Sequence, residues 1–246
     1  MRRPLVWLFL LHLVGNAVLL GLGYSWLGIG ESTNANLALS VGLLLVLLSG
    51  TVWLHGSSLA YFRDPQPGTR VALMASLRRL LPLFAVGLLA VAVYFALEVW
   101  QPLNESRATD VASYFTLKLQ KPIRPATVQG VFDVLWWVIR WMLLPALLLP
   151  LASGVAAAGW SGFREWRWKG WSFWLLTPAL LVCAVWVPLQ LIVWKPWMGS
   201  FGQEAASVVA RFGAAYLLFV VACLLLAFVT SRGRSSLSQP STVVSP

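Results

Sequence analysis

Charge is scarce in this 246-residue chain: Asp, Glu, Lys and Arg make up 11% of it, against 59% hydrophobic residues. Soluble domains carry about a quarter charged residues, so an ordinary water-facing globule is excluded. Histidine and cysteine number two each. Cys183 and Cys223 lie inside apolar stretches with no C-x-x-C spacing, which excludes a disulfide framework or a redox motif and leaves packing as their role. With His12 and His55 also in apolar stretches, a serine or cysteine nucleophile lacks an evident base. No His-Glu-x-x-His, phosphate-binding glycine loop or paired-aspartate motif is present. The expectation is therefore a noncatalytic protein without a cofactor.

What the chain does have is six long apolar stretches, at residues 5–29, 37–60, 80–100, 131–153, 171–194 and 208–230. A hydrocarbon core of about 30 Å takes about 20 helical residues at 1.5 Å each, and every stretch meets that length. They predict an all-α, polytopic membrane protein with six transmembrane helices. The net charge of +10 invites a nucleic-acid reading, but the basic residues sit at the ends of the apolar stretches. With the amino terminus inside, Arg2, Arg3, Arg63, Arg70, Arg78, Arg79, Arg164, Arg167, Lys169, Arg232 and Arg234 share one side with only Asp64 and Glu165. On the other side acids roughly cancel the bases. The positive-inside rule then places both termini in the cytoplasm, in a bacterial-type inner cell membrane, with no nucleic-acid partner. Tryptophans near the predicted boundaries fit this arrangement; Trp53 and Trp186 do not.

The first stretch outruns a signal-peptide core of about 7 to 15 residues and reads as a retained helix. Residues 63–79 open on the turn sequence Asp64-Pro65-Gln66-Pro67-Gly68, become helical in pattern, and are expected to lie on the membrane surface. Residues 101–130 read as an outer loop packed over the helices, with 111–119 either a short helix or a strand. The polar tail at 231–246 is expected to be disordered and cytoplasmic. Pro145, Pro150, Pro178 and Pro188 remove backbone donors from the fourth and fifth helices and should bend them.

Arg140 is the most informative charge. Counted from the outer end of its stretch it lies about 14 Å deep, near the midplane, where a charge costs at least about 2.5 kcal/mol and needs a partner. Asp133, about 10 Å higher on the same helical face, and Glu98 are the candidate partners. Lys195, Glu204 and Arg211 fall at the same outer level, so these residues together suggest a charged vestibule. At the opposite face, Arg164, Trp166, Arg167, Trp168 and Lys169 combine aromatic and basic residues in the manner of a segment that holds anionic lipid headgroups.

These observations favour a scaffold or accessory protein that binds lipid or a membrane-protein partner through residues 160–174 and the outer loop. The rival is a small-solute transporter with its site at Arg140. A lesser alternative is a haem held between His12 and His55, which the topology puts at similar depth.

Overall fold

In the computed structural model, which describes residues 2–30, 32–165, 169–196 and 199–231, the described residues form helices and connections without a strand. Six helical stretches, Pro4–Leu27, Asn34–Arg63, Leu80–Pro102, Pro125–Arg164, Trp171–Val193 and Phe201–Ser231, are long and apolar enough to cross a membrane. The protein is an all-helical, membrane-embedded bundle. The Trp166, Arg167 and Trp168 headgroup contacts and nearly all of the tail, from residue 232, lie outside the described residues.

The chain runs as α1 (Arg2–Leu27), α2 (Asn34–Arg63), α3 (Thr69–Arg78) and α4 (Leu80–Leu119). Next comes α5 (Pro125–Val138), joined through a π turn (Ile139–Leu143) to α6 (Leu144–Ala158). A 3-10 segment (Gly159–Glu165) then leads toward α7 (Trp171–Leu181), which a second π turn (Val182–Trp186) joins to α8 (Val187–Val193). The last element is α9 (Phe201–Ser231). Local chemistry marks the ends. Thr33 accepts the Asn36 amide to cap α2, and Pro125, which has no amide hydrogen to lose, opens α5.

Residues 63–79 pack against the bundle through α3. The Trp53 indole donates to the Leu73 carbonyl at 3.0 Å, and the Ser76 hydroxyl donates to the Trp53 carbonyl at 3.0 Å. These bonds hold α3 against α2. The small residues Ala72 and Ser76 form its buried face, which gives Trp53 its place as well. A pattern reading sees amphipathic character there but not the neighbour that takes the face.

Residues 101–130 differ more. They are mostly helix: α4 continues to Leu119 without a break, about 60 Å in all. Its extension passes Pro102 by about 25 Å and forms an antiparallel hairpin with α5. Ala108 and Ala112 are buried, and the Ile123 amide donates to Thr116 Oγ1 across the turn. A hydropathy reading scores this segment as a loop because its helix is built from polar residues and two small buried ones.

Packing is uneven along the bundle. The largest core cluster, with Leu8, Leu59, Ala60, Tyr61, Val155 and Ala156, lies toward the basic end, where Arg63, Arg79 and Lys169 gather. Small side chains allow the closest approach there. A Cβ on Gly162 would stand 2.4 Å from the Gly154 carbonyl carbon, so the 3-10 segment can fold back onto α6 only with glycine at that position. Toward the far end, Leu88, Val91, Phe95, Val134 and Val209 are exposed, as lipid-facing residues are.

Candidate functional site

At the far end, Arg140 lies in the π turn and points at α4. Its Nη1 is 2.9 Å from Glu98 Oε2, and its guanidinium carbon lies 5.5 Å from the Tyr94 ring centre and 5.9 Å from that of Trp136. The Arg140 side chain is 12% exposed and that of Glu98 is 54% exposed. Nε and Nη2 are buried without an oxygen partner, and the two aromatic faces take the place of one. Asp133 is exposed and accepts from Gln129 instead. The reason is reach: an arginine that meets Glu98 at its own level need not span the rise to Asp133.

Arg140 and Glu98 stand level along their helices. Glu98 is about 27 Å along α4 from Leu80, and Arg140 is about 27 Å from Ala158. The basic ends of the two helices are level, because Arg79 Nη1 donates to the Ala156 carbonyl at 2.6 Å. Helix α5 begins at Pro125, six residues before the apolar stretch does.

The charges expected to share one vestibule fall into two places. Lys195, Glu204 and Arg211 line a cavity of about 250 Å³ where α8 meets α9. Arg211 is also tied to backbone there, donating to the Ser207 and Ile192 carbonyls. Glu98 and Arg140 belong to the packing of α4 against the helix that contains α5 and α6.

At the basic end three cations meet the carbonyl ends of helices. Arg63 Nη1 donates to Ser153 O at 3.0 Å, Arg79 Nη1 to Ala156 O, and Lys169 Nζ to Thr230 O at 2.6 Å. Ala156 and Thr230 lie in the last turns of α6 and α9, where carbonyls lack intrahelical donors and carry partial negative charge, so cations belong there; Ser153 O is one turn further in. Ser231 completes the joint by donating to Leu59 O at 3.2 Å. Burial, and then the nearby charge of Arg63, lowers the pKa of both Arg79 and Lys169 below the ordinary values. Of the described residues expected to hold lipid headgroups, Lys169 is engaged by a helix end, while Arg164 stands exposed.

Two features escape the sequence reading. In the π turns, the Leu144 amide reaches back to Ile139 O and the Val187 amide to Val182 O, each five residues away. Each turn starts six residues before a proline, Pro145 or Pro188, and that shared offset is the signal in the sequence. Between the turns lies an apolar cavity of about 340 Å³, with Trp137, Trp141 and Pro145 on one wall and Val182, Val185 and Trp186 on the other. This places Trp186 as well.

Comparison with protein-family models, with curated proteins and with solved structures finds no match for the chain.

The histidines do meet. The His12 and His55 rings stand edge to face with centres 5.4 Å apart. Bis-histidine haem ligation puts a whole macrocycle between the rings, and α1 and α2, which pack closely where Leu54 meets Gly15, leave no room for its width. The pair does not fit a haem.

Proposed function

We propose that the chain is a noncatalytic accessory protein of a cell membrane that engages a membrane-protein partner through the α4–α5 hairpin. The carrying observation is the extension of α4 beyond its membrane span, with Tyr114, Phe115, Leu117 and Leu119 exposed on it. Leu117 is 81% exposed. Apolar side chains at that height have left the lipid, and a partner surface would cover them. The Arg140–Glu98 pair and the Tyr94–Trp141 and Trp100–Trp136 ring contacts brace the base of the hairpin. The excess of Lys and Arg at the basic end supports a cytoplasmic placement of both termini, with the hairpin on the opposite side. It also supports contact of Arg164 with anionic lipid.

The transport reading draws less support. Arg140 is held by Glu98 and two rings, and it is absent from the linings of the two cavities described here.

A photo-crosslinking residue placed at Leu117 in producing cells tests the proposal, with one at Leu88, a lipid-facing residue of the same helix, as the control. A discrete protein adduct at Leu117 and none at Leu88 is expected. The same products at both positions, or none at Leu117, would overturn the reading.

A further inference from the structure

Both ring nitrogens of His12 are buried without a hydrogen-bond partner, and the residue is fully inaccessible. A polar group left so in an apolar interior is costly. The fold nevertheless holds it in place. Leu54 packs onto Gly15, where a Cβ would stand 2.9 Å from its Cδ2, so α1 and α2 approach closely one turn from the pair. Asn16 donates to the His12 carbonyl at 2.8 Å and Ser58 to the His55 carbonyl at 2.8 Å, which fixes the backbone on both sides. These polar side chains are turned to backbone and leave the imidazoles facing each other. His55 is half-buried and gives the pair an approach from outside.

We propose that His12 and His55 bind a single Cu(I) ion as a two-coordinate bis-imidazole site. Imidazole is a good ligand for copper. Two metal–nitrogen bonds of about 2 Å and the radii of two rings separate the ring centres by about 6 Å in a collinear two-coordinate site. The rings stand edge to face at 5.4 Å, so taking up an ion requires them to turn a nitrogen toward each other and to part slightly, a side-chain movement that leaves the α1–α2 contact in place. The number of donors selects which ion. Among the described residues no third His, Cys, Asp or Glu joins the pair, whereas Zn(II) takes three or four protein ligands. Charge selects in the same direction. A divalent ion in the apolar bundle would need carboxylates to offset it, while a singly charged ion on two neutral donors carries the smaller desolvation cost. The ion stays Cu(I) throughout, and no electron transfer is involved. This inference is independent of the hairpin and its partner.

The test uses the purified full-length protein in detergent, given Cu(I) without oxygen in competition with a chromogenic Cu(I) chelator. One ion retained per chain is expected, with X-ray absorption reporting two nitrogen neighbours and no sulfur. The Cys183→Ser/Cys223→Ser variant should retain it equally. His12→Ala and His55→Ala, each checked for a monodisperse folded species, should hold it at least tenfold more weakly. Zn(II) should not be retained. Wild-type protein that yields all its Cu(I) to the chelator, sulfur in the coordination shell, or full retention by both histidine variants would overturn the proposal. The first two outcomes are read on histidine-intact protein, so a misfolded variant cannot obscure them.

Discussion

The two ends of the bundle are built differently from similar materials. At the basic end cations meet helix carbonyls, glycines let backbones touch, and the largest core cluster lies close by. At the far end Arg140 pairs with Glu98, Lys195, Glu204 and Arg211 line an open cavity, two helices carry π turns around an apolar groove, and a hairpin extends beyond the apolar span. A cation at a helix end is favoured by the partial negative charge of the last carbonyls. The contrast teaches that stability is concentrated at the basic end, and that surfaces able to engage something else are concentrated at the far end.

The largest break in that contrast should come from Gly162→Val. A branched side chain cannot fit where even a Cβ would stand 2.4 Å from Gly154 backbone. A loss of about 3 kcal/mol is expected, measured as folded yield and thermal unfolding in detergent. Unchanged stability would mean that the 3-10 segment is not part of the fold's foundation.

Arg140→Leu comes next. It strands Glu98, but that carboxylate is half-exposed, so a loss of about 1–2 kcal/mol is expected in place of the larger cost of a fully buried break. The cation–π contacts contribute part of it, so Arg140→Lys should recover less than half. Recovery to wild-type stability would show that the rings do not matter.

Smaller still is Lys169→Met, which removes the donor to Thr230 O and keeps most of the side chain's bulk. About 1 kcal/mol is expected, seen as a lower unfolding temperature. A gain in stability would show that the buried charge costs more than the bond supplies. The smallest effect belongs to the double change Phe115→Ser/Leu117→Ser, within about 0.5 kcal/mol, because both side chains are exposed. It should abolish the Leu117-region adduct when the crosslinker is moved to Tyr114. A persistent adduct would place the partner contact elsewhere.

The six spans were legible because lipid selects for length and hydropathy, and both can be counted. Glu98 was legible as a possible partner of Arg140, since few acids were available at that level. That Glu98 and not Asp133 takes it was not, because the choice depends on how α4 packs against α5. The hairpin was missed for a related reason: Ala108 and Ala112 are buried by a neighbouring helix, and hydropathy cannot see a neighbour. The contact of Lys169 with Thr230 was not legible, because its acceptor is a backbone carbonyl, which every residue has. Similar depth was legible for His12 and His55, but contact was not, since it depends on how closely α1 and α2 cross.

The claim that the far-end charges brace a hairpin is tested most directly by a double-mutant cycle on thermal unfolding in detergent with Glu98→Gln, Arg140→Gln and the pair together. The account predicts that each single change destabilises and that the double variant loses clearly less than their sum, with a coupling of about 1 kcal/mol. Additive losses, or single variants as stable as wild type, would contradict it.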